Sequence, residues 1–192
     1  MQLRTTPGLW VMLALSILLL PLPWIAALVI SCIVHELSHL AAAKLAGVHI
    51  KAMRIGIDGA YLETDAMTPL QEMFCSWAGP FGALMLLIAA RWMPRTAICV
   101  ALQSAYHLLP CYPLDGGRGF RALVAYFGWP HWILGIVECI MLTGLVLFGF
   151  FLQQIFGTFL PLMGVIVILL RVSREKFLAK RTGTGYNRDT SE

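Results

Sequence analysis

Ser31-Cys32-Ile33-Val34-His35-Glu36-Leu37-Ser38-His39-Leu40-Ala41-Ala42 is the stretch on which the reading of this chain turns. It lies inside an apolar run, 24–46, long enough to cross a bilayer, yet two histidines and a glutamate stand in its middle. Residues four apart share a helix face, so His35 and His39 can bind one zinc ion while Glu36 projects beside them. Polar side chains at membrane depth are costly unless satisfied internally, which makes a purely structural role an expensive explanation for three of them. Satisfied packing between helices is the competing reading.

Working outward, the composition fits a membrane protein and excludes an ordinary soluble domain. Apolar residues make up 59% of the 192 and charged residues 12%, about half the charge of a typical globular chain, and the mean hydropathy is +0.78. Further apolar runs fall at 8–20, 70–90, 96–109, 131–151 and 155–170. With 24–46 they predict an all-α polytopic membrane protein of about six transmembrane helices. The run at 8–20 is followed by Pro21-Leu22-Pro23 and a second span, so it is expected to be retained and not cleaved as a signal peptide. Between the second and third spans, Met53, Ile55 and Ile57 alternate with Arg54, Gly56 and Asp58 ahead of Gly59. That pattern predicts a short membrane-associated β-hairpin, with a plain surface loop as the alternative.

Lysine and arginine then set the orientation. With the amino terminus inside, only Arg91 and Arg95 of the 14 basic residues fall on the outer side, so both termini are expected in the cytoplasm. The net charge of +4 is accounted for by this distribution, and no nucleic-acid partner is expected. The division expected is a membrane domain over 1–170, with its core at 24–127, and a basic cytoplasmic tail over 171–192 that sits near anionic headgroups. The five cysteines lack ligand-pair spacing and read as packing residues.

Catalytic zinc usually takes three protein ligands and keeps one position for water. The third candidate is Asp115, in Leu114-Asp115-Gly116-Gly117 after the fourth run, where two glycines allow close approach to a neighbouring helix. The charge-derived topology places it at the same depth as His35 and His39. A simple turn residue is the alternative.

With His35-Glu36-Leu37-Ser38-His39, Ala78-Gly79-Pro80, and Leu108-Leu109-Pro110 followed by Pro113-Leu114-Asp115-Gly116-Gly117-Arg118, the sequence resembles the site-2 protease family of intramembrane zinc metalloproteases. The likeness is greatest to the small six-span bacterial group that includes sporulation proteases. The resemblance implies one Zn2+ held by His35, His39 and Asp115, with Glu36 as general base and acid. It implies a hairpin near residues 50–62 that helps present the substrate as an extended strand, and a multi-pass location in a bacterial cytoplasmic or forespore-type membrane. The implied partners are the lipid bilayer and a membrane-protein substrate, such as a regulatory-protein precursor. Control would come from the hairpin, the tail or a separate regulatory protein.

Two positions depart from the family pattern: His107 stands where an Asn commonly precedes Leu-Leu-Pro, and Ala83 where an Asn often follows Ala-Gly-Pro. His107 can still donate a hydrogen bond, and with Ile55 and Ile57 it is a candidate for holding substrate or oxyanion; Ala83 cannot. The function expected is hydrolysis of a peptide bond in or near a transmembrane segment. A weak or inactive homologue that binds membrane segments is the alternative, and a metal transporter is a third reading with few further ligands to support it. Glu138, in the fifth run, stays outside the expected site.

Overall fold

The computed structural model describes residues 2–5, 7–56, 59–157, 165, 166, 169, 170 and 173. Along the chain run β1 (Gln2–Thr5), α1 (Pro7–Leu19), α2 (Leu22–Leu45), β2 (Ile50–Gly56), β3 (Gly59–Thr64), α3 (Pro69–Leu84), α4 (Pro94–His107), α5 (Asp115–Tyr126) and α6 (Trp132–Phe156). A 3-10 turn, Met85–Ala89, prolongs α3. Prolines mark the beginnings of α2, α3 and α4, where the missing N–H would have had no helical acceptor in any case. Thr68 and Gln71 add a reciprocal capping box at the start of α3, and the Gln71 amide donates to the Ala46 carbonyl at 3.0 Å, tying α3 to the end of α2.

Among the described residues three helical segments are long and apolar enough to cross a membrane: Leu22–Leu45, Pro69–Ala89 and Trp132–Ile155. The protein is therefore an integral membrane protein. Helices α1 and α4, at 13 and 14 residues, rise only about 20 Å against a hydrocarbon core of about 30 Å. The fifth and sixth apolar runs were expected to separate near residue 153; instead α6 continues to Phe156 and ends at Gly157, whose φ of 63° is the left-handed cap that glycine adopts without strain. Most of the sixth run and nearly all of the tail lie outside the described residues. Helix α5 was not anticipated, because its sequence, Asp-Gly-Gly-Arg-Gly at the start, carries little helix propensity.

The faces of α2 are sorted as lipid demands. Ala27, Ser31 and His35 recur every four residues and are buried, while Val29, Ile33 and Leu37 on the other side are exposed. Apolar exposure toward lipid costs nothing, so small and polar residues take the interior. α3 is the central element, packed against α2, α4 and α5.

The expected hairpin is present: β2 and β3 pair antiparallel with Ile55 opposite Ala60 and Gly56 opposite Gly59, and the intervening residues 57 and 58 lie outside the described residues. The sheet has a third member. Strand β1 pairs parallel to β2, with Leu3 opposite Met53 and Thr5 opposite Ile55, so the order is β1-β2-β3. Exposed Lys51 and Asp65 form an ion pair at 2.5 Å near the hairpin's base, and the hydrogen bond from Lys51 holds the Asp65 carboxyl below its ordinary pKa.

Candidate metal centre

Two distant pieces of sequence supply the donors. His35 and His39 lie on one face of α2, one turn apart, and Asp115 is the first residue of α5, where a carboxylate suits the positive end of the helix dipole. Gly116 and Gly117 explain how α5 comes so near. A Cβ on Gly116 would collide with the Leu108 and Leu109 carbonyls, and one on Gly117 with the backbone of Cys111 and Tyr112. The close approach expected of the glycine pair is thus realised, though it is made to the preceding turn of chain and within a helix start.

The donor atoms converge. His35 Nε2 lies 3.1 Å from Asp115 Oδ2, His39 Nε2 3.4 Å from the same oxygen, and the two imidazole nitrogens 3.2 Å from each other. Tetrahedral zinc with bonds of about 2.0–2.1 Å separates its ligand atoms by about 3.3 Å. Among the described residues these three are the group of His, Cys, Asp and Glu side chains able to share an ion. The tautomer agrees: His39 Nδ1 donates to the Cys75 carbonyl at 2.7 Å, leaving the Nε2 lone pair turned toward the other donors. Two imidazole lone pairs and a carboxylate facing one another repel, and a proton can relieve only one pair at a time; a cation satisfies all three. The residues therefore fit zinc. His35, 1% exposed, has no partner for its Nδ1 among the described residues.

Packing fixes the ring positions. A Cβ on Gly79 of α3 would fall inside the His39 imidazole, so the Ala-Gly-Pro motif provides the recess that the second histidine occupies. Glu36, outside the donor triad, lines a cleft with His39, Ser76, Asp115, Arg118, and Leu62 and Thr64 of β3. Arg118 stands within 3.9 Å of Glu72.

The sequence candidates beyond the triad fare differently. His107 ends α4 and places Nδ1 2.7 Å from Asp115 Oδ2, so it sits against the carboxylate. Ile55 lies in β2, the middle strand, whose neighbours β1 and β3 flank it on both sides. Strand β1 occupies one side of β2 and β3 the other, so among the described residues the sheet's edges are β1 and β3. Ile57 lies outside the described residues. Ala83 is fully buried and offers no polar group. Of the cysteines, Cys75 packs with Ala42 and Ala43, and Cys111 with Leu114. Sequence reasoning passed over Ser76, on the cleft wall and two residues before the Ala-Gly-Pro motif that led to α3.

Comparison with known proteins agrees with this geometry. No family model matches the chain. It is 34% identical over 114 residues to Rip3 of Mycobacterium tuberculosis, named as a candidate zinc metalloprotease, covering 50% of this chain and 29% of that protein. It is 29% identical over 134 residues to stage IV sporulation protein FB of Bacillus subtilis, covering 62% and 46%. The matches thus span less than half the length of these relatives. Among solved structures, the site-2 protease from Methanocaldococcus jannaschii superposes with a TM-score of 0.57 at 20% identity, over 88% of this chain and 85% of that one. The fold is that of a site-2 protease, and the resemblance carried by the motifs holds.

Proposed function

We propose that the protein is a zinc-dependent intramembrane endopeptidase that hydrolyses a peptide bond in or near a transmembrane segment of a membrane-bound substrate. The observation that carries this reading is the convergence of His35, His39 and Asp115 at zinc-ligand spacing beside Glu36, among helices that turn apolar side chains outward. In this reading His35, His39 and Asp115 hold the ion. Zinc bound there supplies Lewis acidity, which acidifies water and polarises a carbonyl. Glu36 takes a proton from the attacking water and delivers it to the leaving amine nitrogen, the single group serving as base and then acid. His107 donates to Asp115 and holds the carboxylate in place. The substrate helix unwinds locally to expose the bond, and edge strand β3, whose Leu62 and Thr64 line the cleft, offers its backbone to the extended segment.

The chain over 1–170 acts as one membrane domain, with α1 and α4 as short additional spans in a six-span arrangement and both termini in the cytoplasm. The bias of lysine and arginine supports that orientation. The substrate fitting this site is a single-pass membrane protein such as a regulatory precursor, with access governed by a separate protein or by the chain's own hairpin and tail.

The test is cleavage by the purified, zinc-loaded protein in proteoliposomes. Wild type is expected to cut model transmembrane peptides, and Glu36→Gln to lose about 10²- to 10⁴-fold in rate with its zinc retained. Equal processing by the two proteins overturns the reading. Binding of the peptides with no cutting by either protein favours the alternative that the buried Ala83, with no donor to offer, supports: a homologue that binds membrane segments without cutting them.

A further inference from the structure

Ser76 belongs to α3 and follows Cys75, whose carbonyl accepts the His39 Nδ1 proton. Its side chain lines the same cleft as Glu36, His39 and Asp115, the residue is 3% exposed, and its Oγ has no hydrogen-bond partner among the described residues. Buried hydroxyls in helices normally find an acceptor, most simply the carbonyl one turn back. Other serines of these helices do. Ser38 Oγ donates to the Val34 carbonyl at 2.7 Å, Ser104 Oγ to the Pro80 carbonyl at 3.2 Å, and Ser31 Oγ to Gln103 at 2.5 Å. Each of those hydroxyls is satisfied within the helical bundle, whereas Ser76 stands on a cleft wall. Pro80, four residues on, also withdraws the amide donor that the Ser76 carbonyl would receive in an uninterrupted helix.

A buried hydroxyl left unsatisfied works against folding, so one kept beside Glu36 and the histidines calls for a ligand that completes it. The proposed reaction provides such a ligand. A transmembrane segment unwound for hydrolysis has backbone carbonyls stripped of their helical donors in a medium that supplies few others. Leu62 and Thr64 of edge strand β3 line the cleft that Ser76 lines, so a segment extended along β3 passes this hydroxyl. Ala83, buried and without a donor, cannot perform that service.

We propose that Ser76 is a substrate-binding residue whose hydroxyl donates a hydrogen bond to a backbone carbonyl of the unwound substrate in the cleft between α3 and β3. The proposal rests on the protease reading above and adds to it the residue that grips the extended chain.

The experiment uses the full chain, zinc-loaded, with a panel of labelled model transmembrane peptides carrying a Gly-Pro break; kinetics follow the peptide that wild type cuts fastest. Ser76→Ala is expected to raise KM about five- to tenfold, the worth of one hydrogen bond, with kcat held within about twofold. In a Glu36→Gln background the same substitution is expected to weaken peptide binding by the same factor. Zinc content stays at wild-type level and the melting temperature does not fall, because the group removed has no partner among the described residues. Ser76→Thr, which keeps the hydroxyl, restores binding. Unchanged KM and affinity in Ser76→Ala overturn the proposal, as does a fall in kcat alone, or a lowered melting temperature with loss of zinc. If Glu36→Gln abolishes cutting while Ser76→Ala behaves as wild type, this inference fails alone. If wild type cuts none of the peptides, the protease reading and this inference fail together.

Discussion

Helices α2 and α6 are nearly equal in length, 24 and 25 residues, and both are apolar enough to span a membrane, but they are put to opposite uses. α2 turns Ser31, His35, Ala42 and Ala43 inward and touches α3 and α4, while only 6% of the residues in the most apolar stretch of α6 are buried within the protein. Ile136, Ile140, Leu147 and Phe151 of α6 all face outward. In water such a helix would mark an interface; in a bilayer it is the ordinary exterior. The difference teaches that the interior of this protein is recognised by small and polar residues, since lipid removes the hydrophobic gradient that sorts a soluble core.

That contrast is broken most severely at Asp115. Asp115→Ala is expected to abolish zinc binding and cleavage, more than the 10- to 100-fold that loss of an outer partner costs, because it removes one of three donors; metal content by mass spectrometry reads it. A fully zinc-loaded Asp115→Ala protein would refute the ligand assignment. Next comes Gly79→Ala, a single methyl group added to the crowded face. The new Cβ claims the space of the His39 imidazole, and zinc affinity should fall about 100-fold, measured by competition with a chelator.

His107→Ala follows, with an expected loss of about tenfold in zinc affinity as Asp115 loses its hydrogen bond, and His107→Asn should recover most of it because an amide can still donate. Equal affinity in His107→Ala would return that side chain to the substrate role first assigned from sequence. The smallest effect belongs to α6. Ile140→Ala, on the lipid side, should change thermal stability by under about 0.5 kcal/mol and leave cleavage unaltered. A loss of several kcal/mol there would mean that α6 has a protein partner, and the comparison with α2 would need redrawing.

Local periodicity made much of this legible. His35 and His39 are four apart, and helix geometry alone places them side by side; the alternation at Met53 and Ile55 marked the strand, and Asp115-Gly116-Gly117 marked a close approach. Other features were hidden for physical reasons. Pairing of Gln2–Thr5 with β2 joins segments about 50 residues apart through backbone hydrogen bonds, which leave no side-chain signature. The glycines that lower the helix propensity of α5 are the residues its packing requires.

The sequence by itself determined that the chain lives in a bilayer, which side chains are too costly there to be idle, and that His35 and His39 share a helix face, because hydropathy and helix period act over a few residues. Tertiary structure alone decided that β2 is enclosed and β3 is an edge, that His107 is set against Asp115, and that Ser76 stands unsatisfied on the cleft wall. Those outcomes depend on contacts between residues far apart in the chain, where the orientation of one helix against another selects which atoms meet.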